Sequence, residues 1–189
     1  GSWLRSSKRK QTFLPFGLSL SKPRSSEEVR PFDKLRANGF WMEPMQVDFY
    51  QLSRDPVDQV LPAIAARILG LGARLLVVAQ EDDRLERISA GLWAGAPESF
   101  LAHGRAGAGG EAHQPILLGA TCDAGNGARH IALADGVWRD EALGFERAFY
   151  FFDADTIDGA RASWRVLSKA DGVEPRFWRQ DGRKWVQGP

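Results

Sequence analysis

Arg161 and Arg165 stand four residues apart with Trp164 between them. On a helix that spacing puts both guanidinium groups on one face, with an indole beside them. Guanidinium groups pair bidentately with carboxylates, so such a face can take an acidic ligand. The same spacing also describes an ordinary solvated helix face, and the residues alone leave both readings open. Lys169 follows one turn later, and Arg176, Arg179, Arg183 and Lys184 continue the basic cluster toward the end of the chain.

Residues suited to bond-making chemistry are sparse. Cys122 beside Asp123 has no base near it in sequence, and Ser99 with His103 lacks the nucleophile-elbow context. Asp153 and Asp155 follow an apolar run, the usual place for α/β active-site residues. The plainer reading is that Asp155 or Thr156 caps the next helix. His103, His113 and His130 have no cysteine or carboxylate at metal-ligand spacing, so no metal site is expected. The turn after the first apolar run is Ser53-Arg54-Asp55-Pro56, with no glycine to admit a pyrophosphate and an aspartate to repel one. Residues 104–110 are glycine-rich but lack the Gly-Lys-Ser/Thr ending of a phosphate loop, and read as a flexible connection. No cofactor is expected. A small α/β enzyme or nucleotide-binding protein remains the alternative, because sites assembled from distant residues are invisible in sequence.

The elements that must position these residues need a core. The chain has 189 residues, 43% of them hydrophobic, enough for one ordinary domain. Its net charge of +1 hides an asymmetry. Residues 1–44 carry nine Lys/Arg against four Asp/Glu, and the remainder carries sixteen against twenty. An acidic body argues against broad contact with a nucleic-acid backbone, which needs many phosphate-neutralising cations. The one cysteine excludes an intrachain disulfide and fits a reducing compartment, so a cytoplasmic location is expected.

Residues 1–44 read differently from the rest. The apolar run over 12–20 is broken by Pro15 and Gly17, lacks the anatomy of an export signal and is too short to span a membrane. Residues 18–22 (Leu-Ser-Leu-Ser-Lys) and 32–36 (Phe-Asp-Lys-Leu-Arg) can be encoded by reverse-complementary DNA. The segment therefore reads as a translated inverted repeat forming a poorly ordered extension. Met45, or Met42 before it, is the expected native start, and residues 45–189 the folded domain.

Within that domain, residues 47–52 alternate as a strand. Val60, Leu61, Ile64, Ala65, Ile68 and Leu69 mark a helix over 57–69. Residues 75–79 are a continuous apolar run, the mark of a strand buried on both faces. Glu81 and Asp82 open a second helix whose inner face is Leu85, Ile88 and Leu92, with Trp93 a further candidate for it. Strands follow at 100–102, 116–120 and 130–134, the last two joined as a hairpin at Gly125-Asn126-Gly127. A strand at 148–152 leads to a helix over 156–170, and residues 176–186 form a tail hairpin around Asp181-Gly182. This order predicts a three-layer, Rossmann-like α/β domain. It has a largely parallel central sheet, helices on both faces and no nucleotide-binding fingerprint.

Two segments carry a family resemblance. One is residues 91–103, Gly-Leu-Trp-Ala-Gly-Ala-Pro-Glu-Ser-Phe-Leu-Ala-His, and the other is Ala160-Arg161-Ala162-Ser163-Trp164-Arg165. Together they resemble the chi subunit of bacterial DNA polymerase III. The resemblance runs from residue 45 to about 180. It implies a non-catalytic accessory subunit associated with the clamp loader. Its partners would be the psi subunit, or another clamp-loader component, and the acidic C-terminal tail of the single-stranded DNA-binding protein. Contact with DNA would be mostly indirect, with no membrane. That tail resembles a short acidic peptide ending in an aromatic residue with a free carboxylate. By the resemblance, Arg161, Trp164, Arg165, Lys169 and Trp93 would bind it, with Trp164 and Trp93 supplying the wall of an aromatic pocket. Where the family often has another basic residue one turn earlier, this chain has Asp158 and Gly159, and Lys169 or Arg179 would have to substitute.

Overall fold

Along β1 (Met45–Gln51) side chains alternate between the faces of a sheet, so that Val47 and Phe49 enter one core and Tyr50 the other. The computed structural model describes residues 44–95, 100–182 and 184–188. The expected extension over residues 1–44, save Pro44, lies outside the described residues, as do Glu98, Ser99 and Arg183.

Pro56 precedes α1 (Val57–Gly70), its fixed φ suited to a helix start. Pro62 inside α1 has no N–H to offer the carbonyl of Asp58. Gly91 of α2 (Asp82–Trp93) comes so near that carbonyl that a Cβ there would lie 2.2 Å from the oxygen, so only glycine lets the two helices approach this closely. Between them runs β2 (Leu75–Val78), every residue of which is buried, as its unbroken apolar run requires. After α2 come β3 (His103–Arg105), β4 (Ile116–Gly119), β5 (His130–Leu133) and β6 (Arg147–Phe152). Then follow α3 (Ile157–Leu167), β7 (Val173–Asp181) and β8 (Lys184–Gln187).

The strands form one eight-stranded sheet in the order β3-β4-β2-β5-β6-β1-β7-β8. Every neighbouring pair is parallel except β7–β8. Side chains of α1 and α2 pack with Tyr50, Leu75, Val77 and Phe151 on one face. Ala160, Trp164 and Leu167 of α3 pack with Val47, Phe49, Leu76 and Phe152 on the other. The expected three-layer, Rossmann-like architecture is therefore present.

Three local expectations are corrected. Residues 100–102 are not a strand; pairing to β4 starts at His103. The glycine-rich stretch that follows is not wholly a connection, since Gly104 and Arg105 belong to that strand. The segments flanking Gly125-Asn126-Gly127 do not form a hairpin either, because β4 and β5 lie on opposite sides of β2, each parallel to it. Asn126 is the reason. Its side chain is 1% exposed, and its amide nitrogen donates to the carbonyls of Leu75 (3.2 Å) and Gln114 (3.1 Å) while its oxygen accepts the N–H of Ala128 (3.1 Å). It is an interior clamp that holds a crossover past β2. The tail hairpin of β7 and β8 forms as expected.

Candidate functional site

Asp153 follows β6, and its Oδ1 accepts the N–H groups of Asp155 and Thr156 (both 3.1 Å) and the Thr156 hydroxyl (2.9 Å). Thr156 holds the N-cap position, as expected, and its hydroxyl accepts the Asp153 N–H (3.0 Å), so Asp153 and Thr156 brace each other in the turn that starts α3. The helix turns Ala160 and Leu167 into the core and leaves Trp164 half-buried between helix and sheet. The Trp164 indole stands edge-on to Phe49 (5.1 Å, 76°) and to Phe177 of β7 (6.4 Å, 82°).

An open pocket of about 760 Å³ lies against this indole. Phe49, Phe152 and Phe177, on three adjacent strands, form its floor, and Ile157 and Trp164 form its helical wall. Arg161 and Arg165 stand at its rim, both exposed. Arg165 Nε donates to the Arg161 carbonyl at 3.2 Å. Arg161 Nη1 meets Asp158 Oδ1 at 3.2 Å, with both side chains largely in water. Such an exposed pair is worth little and can exchange partners. Lys169 is exposed just beyond the end of α3.

The structure thus brings Arg161, Trp164 and Arg165 together, with Lys169 following on the same segment. It does not bring Trp93 to them. That residue ends α2, whose inner side chains belong to the opposite face of the sheet. There Trp93, 58% exposed, meets Phe100 (5.6 Å) and His103 (4.7 Å), and Phe100 is 75% exposed. The shared aromatic wall expected of Trp93 and Trp164 is corrected: the sheet separates them. The floor residues Phe49, Phe152 and Phe177 are not apparent as site residues in the sequence. The signal available was the period-2 alternation that puts an aromatic on the Trp164 face of each strand.

Several polar groups elsewhere are tied up within the chain. His103 Nδ1 donates to the Leu101 carbonyl (2.8 Å), which leaves Nε2 to accept the Ser89 hydroxyl (2.8 Å). Burial pushes the Cys122 thiol up, keeping it protonated. In the turn before α1, the N–H groups of Ser53, Arg54 and Asp55 all point at Gln180 Oε1 (3.4, 3.1 and 3.2 Å), so the chain itself fills the position where related folds place a phosphate. Asp135 is buried against Arg139 (2.6 Å) and also accepts the Gln80 N–H (3.0 Å), tying the loop after β5 to the end of β2. Among the described residues no group of three His, Cys, Asp or Glu side chains could hold a metal ion. Among them, too, no helix is long and apolar enough to cross a membrane.

Fold and site together define an α/β domain of Rossmann-like architecture, with an aromatic pocket under its last helix and the turn before α1 internally filled. Residues 45–175 match the model of the family described as DNA polymerase III chi subunit, HolC, and the chain belongs to that family. It is accordingly an accessory subunit of the replicative polymerase and associates with other components of that enzyme. No curated protein matches it.

Proposed function

We propose that this subunit binds the acidic C-terminal tail of the single-stranded DNA-binding protein, and so couples the clamp loader to protein-coated DNA without catalysis of its own. The observation that carries this reading is the pairing of chemistries in one pocket, an aromatic floor of Phe49, Phe152 and Phe177 under a rim of Arg161 and Arg165. A peptide ending in an aromatic residue would bury its ring against that floor, where aromatic pairs gain about 0.5–1.5 kcal/mol beyond area burial. Its carboxylates would displace Asp158 from Arg161 and accept charge-assisted hydrogen bonds from the guanidinium groups. Lys169 would add charge at the exit of the helix. Contact with DNA is mostly indirect on this reading, and the site of action is the cytoplasm.

The exposed Trp93–Phe100 pair on the opposite face suits a second protein contact, since exposed aromatic clusters mark interfaces. We assign it to psi or another clamp-loader component. One subunit could then hold both partners at once, one on each side of its sheet.

Calorimetric titration with an acidic peptide ending in phenylalanine tests the tail assignment. Saturable binding that weakens when the terminal carboxylate is amidated supports it, and the absence of saturable binding contradicts it.

A further inference from the structure

The match to the family ends at residue 175, yet Phe177 of the β7–β8 hairpin supplies part of the pocket floor. One face of this hairpin is anchored. Trp178 Nε1 donates to the buried Asp48 carboxylate at 2.8 Å, Gln180 Oε1 accepts the three turn N–H groups, and Trp185 stands edge-on to Tyr50 at 4.8 Å. Strand alternation then puts Phe177 and Arg179 on the other face, toward α3. Phe177 does line the pocket. Arg179 pairs in register with Gln51 of β1, itself a pocket residue, and with Val186 of β8, which is 37% exposed. Further along the same face Asp181 and Lys184 lie directly opposite each other, so their charges offset. Arg176 is already bound to Glu174 at 2.8 Å. Arg179 is exposed, with no ion-pair partner among the described residues.

We propose that this hairpin face is a second subsite for the same acidic peptide: Phe177 encloses the terminal aromatic ring, and Arg179 takes a carboxylate from the residues just upstream. The subsite rests on the pocket assignment above. Neighbouring strands lie about 4.8 Å apart and an extended peptide rises about 3.3 Å per residue. A chain leaving the pocket across β7 and β8 therefore passes Arg179 within its next few residues. The peptide then runs between cations of α3 and a cation of the sheet.

Two peptides of equal length, both ending in phenylalanine with a free carboxylate, separate the two claims. One carries aspartates upstream and the other asparagines. Arg179→Ala is expected to weaken the aspartate peptide about twofold to fivefold, the worth of an exposed ion pair, and to leave the asparagine peptide unchanged. Arg161→Ala is expected to weaken both, because both keep the terminal carboxylate. Arg179→Lys is expected to restore part of the loss. An Arg179→Ala protein that binds the aspartate peptide like wild type, or loses affinity equally for both peptides, overturns the subsite while leaving the pocket standing. A wild-type protein that binds neither peptide overturns the pocket assignment and the subsite with it.

Discussion

Phe49 of β1 and Trp164 of α3 meet edge to face, ring centres 5.1 Å apart at 76°, so the residue that walls the pocket also fastens α3 to the sheet. Binding and stability are therefore mixed at Trp164 and separate at Arg161, whose side chain lies mostly in water. Trp164→Ala is expected to destabilise the fold by about 2–3 kcal/mol, below the fully buried range because the ring is partly exposed. Arg161→Ala should change stability by less than about 0.5 kcal/mol. Urea denaturation of both variants checks this, and equal stabilities would show that Trp164 does not hold the helix.

Asp158 competes for the arginine that the peptide needs, at 3.2 Å from its guanidinium. Asp158→Asn should therefore tighten acidic-peptide binding about twofold to fivefold, the worth of an exposed pair. The gain should shrink in high salt. Peptide titration of this variant at two ionic strengths provides the check; weaker binding would show that Asp158 orients Arg161 instead of withholding it.

Asp135 and Arg139 form the more consequential ion pair, with side chains only 5% and 14% exposed. Burial pushes the Asp135 carboxyl up, but the hydrogen bonds from Arg139 and from the Gln80 and Val137 N–H groups outweigh it and hold the group below the usual carboxylate range. Because the folded value is the lower one, its contribution is present above the unfolded value and is lost as pH falls through the folded one. Arg139→Ala leaves a buried carboxylate without its cation and should cost about 3 kcal/mol at neutral pH. It should also move acid unfolding to higher pH. Denaturation across an acid pH series tests both effects.

Much of the fold is legible because its signals are local. The all-apolar run of β2 and the glycine and proline punctuation of α1 each specify an element within a few residues. Asn126 misleads because its Gly-Asn-Gly setting is turn chemistry, while its actual partners are the carbonyls of Leu75 in β2 and of Gln114 in the loop before β4, which only the folded topology brings together. The site divides in the same way. Arg161, Trp164 and Arg165 share one helix face and can be read from spacing. Phe49, Phe152 and Phe177 come from β1, β6 and β7, and only the strand order makes them neighbours. Trp93 is a signature residue, but no spacing rule reveals which side of the sheet α2 occupies.

Both tyrosines of the chain, Tyr50 and Tyr150, are pushed up to about 12, chiefly by burial. Tyr150 also donates its hydroxyl to the Gly136 carbonyl at 2.8 Å. In the unfolded chain they ionise near 10. Their folded values are the higher ones, so this contribution to stability is complete below about pH 10 and is lost as pH rises toward 12. Absorbance titration should show little tyrosinate at pH 10.5 in the folded protein and substantial tyrosinate in denaturant (about pH 10 marks the free phenol). Equal titration curves would mean that the two rings are not enclosed as described.

The central claim is that Arg161 reads an acidic tail at the α3 pocket. The most direct measurement is calorimetric titration of wild type and Arg161→Ala with the C-terminal tail peptide of the single-stranded DNA-binding protein. Charge-assisted hydrogen bonds contribute roughly 1.5–3 kcal/mol, so the variant should bind about tenfold or more weakly. Wild-type affinity should fall with added salt, and Arg161→Lys should recover only part of the loss because an ammonium lacks the bidentate fork. Undiminished affinity in a folded Arg161→Ala protein would remove this helix face from the interface and contradict the assignment.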